Sequence, residues 1–171
     1  AENAKRFSEL SKQKREDTVL DTLRHEYPFV ESLSVEIDVG TPTVYASMKG
    51  IPQKLPVPLV SDGVNKLLGL LLGVATYSRA VVLIDEVENG FFHARLPNVW
   101  RLLLKFCIEF DVQIFGTVHS RESLESAAEA MEASEDEFCL LRTEQEDGQV
   151  QVLRYSGSEL AGAVRHGFEI R

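Results

Sequence analysis

The sequence predicts an α/β domain: a mostly parallel sheet flanked by helices, with peripheral β-hairpins. Three observations carry that prediction. Val81-Val82-Leu83-Ile84 is a continuous apolar run, the pattern of a strand buried on both faces. A helical stretch, Leu96 to Phe110, and a second apolar strand, Val112 to Thr117, follow it, and this strand–helix–strand order implies a right-handed parallel crossover. Two further segments alternate apolar and polar residues around turn-forming residues, as hairpins do.

Taken in order, Ala1 to Tyr27 is charged and helical in pattern. Phe7, Leu10, Val19, Leu20 and Leu23 are its spaced apolar positions, with a break near Lys14-Arg15-Glu16-Asp17 and an end at Pro28. Its basic residues read as a solvated helix face. Val30 to Asp38 and Thr43 to Lys49 alternate as strands, with Gly40-Thr41-Pro42 as the turn. Ile51 to Val60 carries Pro52, Pro56 and Pro58 and reads as extended and irregular. Ser61-Asp62-Gly63 opens a helix running to Tyr77. Ser suits the N-cap, and Asp in the first turn complements the dipole. That helix is apolar nearly all round, so it must be deeply buried, and Gly69 and Gly73 invite close approach of another element. After the two core strands comes an acidic helix, Arg121 to Ala133. A hairpin follows, Glu137 to Thr143 and Gln149 to Tyr155, around Glu146-Asp147-Gly148, and then a short helix after Gly157.

The chain has 171 residues, enough for one domain with a real core. A net charge of −9 argues against a broad electrostatic footprint for nucleic acid, although a local patch stays open. Cys107 and Cys139 lie far apart without a CxxC and read as reduced core thiols, which fits a cytoplasmic protein. The longest apolar run, Leu67 to Ala75, is far shorter than the roughly 20 residues that span a bilayer, so no membrane role is expected. The chain starts at Ala1 and reads as processed, truncated or part of a longer protein.

The chemistry concentrates where the first core strand ends. In open α/β sheets ligands bind at the carboxyl ends of the strands, and here the apolar run meets Asp85 and Glu86. Asp is a hard oxygen ligand suited to Mg²⁺, and a neighbouring Glu can polarise water. The parallel crossover places His119 on the same edge. A helix N-terminus such as Ser61-Asp62-Gly63 is a natural anion site, because its free N–H groups and dipole point outward.

Val81 to Glu86 resembles a Walker B strand with its catalytic glutamate, as in ABC-class ATPases. The continuation Val87-Glu88-Asn89-Gly90-Phe91-Phe92-His93 resembles soluble ATPases related to structural-maintenance-of-chromosomes (SMC) heads and to the overcoming-lysogenization-defect nucleases. Ser61-Asp62-Gly63 resembles a relaxed form of the signature that caps the γ-phosphate of the neighbouring subunit. The resemblance implies the C-terminal lobe of a P-loop NTPase, with ATP and Mg²⁺ as cofactors. Asp85 would hold Mg²⁺ through water. Glu86 would orient or deprotonate the attacking water, and His119 would act as the switch histidine. Asn89, Gly90 and His93 fall in the loop that touches the other subunit in that family.

The Gly-rich Walker A loop ending Gly-Lys-Ser/Thr has no counterpart, since Gly-Lys occurs nowhere in the chain. The expectation is a single partial ATPase domain over 1–171: a helical lead-in at 1–29, a hairpin and irregular connection at 30–60, and the signature and Walker B lobe at 61–171. Its expected partners are a Walker A-bearing segment, a second copy in an ATP-dependent dimer, and an effector such as a nuclease, in phage defence or DNA maintenance. Two other readings stand beside it. One is a non-catalytic dimerisation or partner-binding module that keeps the lobe fold. The other is an unrelated divalent-metal hydrolase using Asp85, Glu86 and Glu88.

Overall fold

The computed structural model describes residues 1–131, 137–146 and 148–166. Two N-terminal helices, α1 (Glu2–Lys12) and α2 (Glu16–Glu26), are separated by a turn in which Lys14 has φ +57°. Strands β1 (Val30–Asp38) and β2 (Thr41–Met48) form an antiparallel hairpin, and β3 (Leu55–Pro56) adds to its edge. One helical turn, α3 (Val57–Val60), leads into α4 (Asp62–Ala75). Next come β4 (Val81–Ile84), α5 (Leu96–Phe110), β5 (Gln113–Gly116) and α6 (Arg121–Met131). A second hairpin, β6 (Cys139–Glu146) and β7 (Gln149–Ser156), precedes α7 (Gly157–His166).

Helix α4 is the centre of the packing. Val64, Leu67, Leu68, Leu71, Leu72 and Val74 are fully buried and meet α1, α2 and the inner face of β2 in one core. A second, adjoining cluster contains Leu70 of α4 with Ile84, Val87, Leu96, Val99, Trp100, Leu103, Ala127 and Met131. Added Cβ atoms at Gly69 and Gly73 would lie 3.4 Å from Asn3 and 3.5 Å from Arg6, which are ordinary contact distances. The approach of α1 is therefore made through side chains, and neither glycine is required by it.

The expected mostly parallel sheet is not formed. The described residues hold a three-stranded antiparallel sheet, a two-stranded hairpin, and one short parallel pair, β4–β5. In that pair Val81 lies opposite Gln113 and Ile84 opposite Gly116. The apolar run of β4 is buried on one face only. Val82 and Ile84 enter the core, whereas Val81 is 60% and Leu83 78% exposed. Phe115, opposite Leu83, is 48% exposed on the same side. An apolar run therefore does not by itself mean that the strand is buried on both faces within this chain.

Smaller expectations also shift. The first hairpin turns at Val39-Gly40, with φ +45° and +80°, and Thr41 and Pro42 already belong to β2. A two-residue turn with both φ positive matches the twist of the strands, so it wins over the proline-centred one. The proline-rich stretch is not irregular throughout, since it supplies β3 and α3. Of the second turn, Asp147 lies outside the described residues; Gly148 has φ +78°. Burial pushes the Cys107 thiol up to about 11, in keeping with an inert core thiol. Cys139 is exposed, on the solvent side of β6, and is not a core residue. No helix among the described residues is long and apolar enough to cross a membrane.

Candidate functional site at the β4–β5 strand ends

Parallel pairing fixes the geometry of the site. With Ile84 opposite Gly116, residues 85–88 and 117–120 leave the sheet at one end. The ladder continues into the loops: the Thr117 N–H donates to the Ile84 carbonyl at 3.0 Å, and the Val87 N–H donates to the Thr117 carbonyl at 3.0 Å. Gly116 is what permits this closeness, because a Cβ there would stand 2.5 Å from Cγ2 of the buried Val87.

Asp85 and Glu86 are both exposed on this end. The Thr117 hydroxyl donates to Asp85 Oδ1 at 2.6 Å and accepts the Glu86 N–H at 2.8 Å. Glu86 has φ +49°, a left-handed conformation that a side-chain-bearing residue holds only when its surroundings impose it. Asn89 Nδ2 donates to Glu86 Oε2 at 3.1 Å. Lys66, from α4, donates to the carbonyls of Glu86 at 3.2 Å and of Asp85 at 3.4 Å.

His119 reaches the same end, and its N–H donates to Glu88 Oε1 at 2.6 Å. The same oxygen accepts the Ser120 N–H at 3.0 Å, and Ser120 Oγ accepts the Ser123 N–H in the first turn of α6. Glu88 thereby fastens the loop carrying His119 to the loop carrying the acidic pair. With its carboxylate turned to backbone amides, Glu88 does not join Asp85 and Glu86 in a ligand cluster. No metal-holding group of three or more His, Cys, Asp or Glu side chains occurs among the described residues. The three-carboxylate hydrolase loses its third ligand. Asp85 and the Thr117 hydroxyl, by contrast, are hard oxygen donors side by side, a set that suits Mg²⁺.

Ser61, Asp62 and Gly63 stand at the start of α4. Ser61 is the N-cap, with its Oγ accepting the Val64 N–H at 3.1 Å. Gly90, at φ +84°, packs its turn against Asp62 and Lys66. A Cβ on Gly63 would meet the Tyr27 hydroxyl at 2.6 Å and the Gly90 carbonyl at 3.3 Å. Burial raises the Tyr27 hydroxyl above its ordinary value, partly offset by the Arg95 cation, so it remains a neutral wall. Gly63 thus has a packing reason to be glycine, whatever it binds. The structure brings Asp85, Glu86 and the His119 backbone together at one strand end. It joins Ser61–Gly63 to them through Lys66 and the Asn89-Gly90 turn.

Sequence reasoning missed the parts played by Thr117, Glu88 and Lys66. Thr117 stands two residues before His119, and Lys66 one helical turn after Asp62. Those spacings become informative only once the strand register is known.

No protein-family model matches the chain. A curated ATP/GTP phosphatase of Helicobacter pylori (strain ATCC 700392 / 26695) is 35% identical over 85 residues, 46% of this chain and 22% of that protein. The match thus spans about a fifth of that relative's length. A solved structure, from the structural biochemistry of ATP-driven dimerization and DNA stimulated activation of SMC ATPases, aligns with a TM-score of 0.59. The alignment covers 90% of this chain and 89% of that one, at 14% identity. The chain therefore has an α/β fold of the kind found in SMC ATPases.

Proposed function

We propose that this chain is the Walker B and signature part of an ATP-binding and ATP-hydrolysing enzyme of the ABC type, which dimerises around ATP. The observation that carries this reading is the convergence of Asp85, Glu86 and the His119 loop at one end of a parallel strand pair. Likeness to an SMC ATPase fold and to an ATP/GTP phosphatase supports it.

Phosphoryl transfer depends on positioning and on neutralising charge more than on covalent chemistry. Asp85 would hold Mg²⁺, whose charge would offset that of the phosphates. Glu86 orients the attacking water and accepts its proton. His119 reaches the γ-phosphate or that water. Ser61, Asp62 and Gly63 offer the N-terminal amides of α4 to the γ-phosphate held by the opposing subunit.

The phosphate-wrapping Walker A loop is supplied by another segment or polypeptide. The exposed Val81, Leu83 and Phe115 support this, because a parallel pair is normally covered on both faces. In this reading 1–29, 30–60 and 61–171 are parts of one partial ATPase domain. The assembled enzyme works in the cytoplasm and gates an effector, of which a nuclease acting in phage defence or DNA maintenance is one.

The test is Glu86→Gln in the complete protein. Phosphate release is expected to fall by about 10²- to 10⁴-fold, the share of a general base. ATP should still bind and should trap a dimer visible by light scattering. Hydrolysis at the parental rate removes Glu86 from its assigned role.

A further inference from the structure

Thr117 carries no charge, yet its backbone and hydroxyl both hold the turn that presents the acidic pair. Its N–H and carbonyl bond to Ile84 and Val87 on either side of that pair. Its Oγ1 accepts the Glu86 N–H at 2.8 Å, so the hydroxyl proton must point elsewhere. An ionised carboxylate only accepts, and Asp85 Oδ1 lies 2.6 Å away. The direction of both bonds is therefore set. One of them orients the Asp85 carboxylate. The other restrains the backbone of Glu86, which sits at φ +49° against its own preference.

We propose that Thr117 is a positioning residue for the reaction, its hydroxyl fixing Asp85 and Glu86 relative to each other from the neighbouring strand. What the acidic pair does rests on the function proposed above. The bracket itself rests on the hydrogen bonds alone.

Two substitutions separate a hydroxyl role from a packing role. Thr117→Val keeps the branched shape and loses the hydroxyl, whereas Thr117→Ser keeps the hydroxyl and loses the methyl. In the complete protein, Thr117→Val should lower kcat for ATP about 100-fold, the cost of a misplaced catalytic group. Any rise in KM should be smaller than the fall in kcat, the pattern of an interaction that counts most in the transition state. Thr117→Ser should stay within about fivefold of the parent, because the oriented bonds survive. Amide hydrogen exchange, which needs no nucleotide, should accelerate about tenfold at Glu86 in Thr117→Val and remain near parental in Thr117→Ser. Should Thr117→Val not fold, Thr117→Ala against Thr117→Ser makes the same comparison.

Parental turnover in Thr117→Val, or an equal loss in both variants, overturns the proposal. If the parent hydrolyses ATP and Glu86→Gln does not, that result leaves the function standing and removes only Thr117. A parent that hydrolyses no nucleotide removes the function, and the positioning role with it.

Discussion

Gly116 is the residue that lets the two strand ends meet. Its φ is not left-handed, so the requirement is purely steric: the space for a Cβ is already filled by Val87, which is wholly buried. Gly116→Ala should destabilise the chain by about 1–3 kcal/mol through overpacking, read as a lowered denaturation midpoint. An unchanged midpoint would mean that Val87 yields without cost. Asp85, Glu86 and His119 were legible as a group, because an apolar strand ending in carboxylates and a strand ending in histidine are one-dimensional signals. Thr117, Glu88 and Lys66 were not, because each acts across an element boundary. A slip of one residue in the β4–β5 register would turn Thr117 to the other face. Glu86 also shows a tension between folding and chemistry. Its left-handed backbone favours glycine or asparagine, so the acidic side chain is retained at about 1–3 kcal/mol of conformational cost.

At the scale of elements, boundaries followed capping chemistry where the caps are local. Ser61 starts α4 as its side chain dictates, and Ser156 and Glu159 start α7 in the same way. There the Ser156 N–H and hydroxyl both donate to Glu159 Oε2, while Ser156 Oγ accepts the Glu159 N–H. This capping box holds the Glu159 carboxyl below its usual value, chiefly through the backbone N–H of Ser156 and then through its hydroxyl. A lowered acid pKa contributes stability above the ordinary carboxylate value of 4.5, and that stability is lost as pH falls below it. Amide exchange in α7 should therefore speed up on acidification beyond the intrinsic pH trend, and Glu159→Gln should flatten that response. A pH response identical in Glu159→Gln would place the cause elsewhere. Turns set by long-range twist were less legible: Val39-Gly40 displaced the proline-centred alternative because strand twist, not local propensity, selects the turn.

At the scale of the whole molecule, the outer face of the β4–β5 pair is left bare by the described residues. Val81, Leu83 and Phe115 line it, and their hydrophobicity was plain in the sequence, although their exposure was not. Leu83→Lys should leave the melting temperature of this chain within about 2 °C, as exposed substitutions do. If the Walker A-bearing segment proposed above covers this face, Leu83→Lys should also abolish its association, measured by calorimetry. Retained association would mean that the covering segment binds elsewhere. Among the described residues, β4 and β5 also each keep an outer row of backbone groups with no neighbouring strand. Such rows are templates for the strand of any passing chain. With those rows and the apolar face open, this polypeptide is exposed to mispairing and precipitation. Producing this chain together with the proposed Walker A-bearing segment should yield more dispersed protein than refolding it by itself.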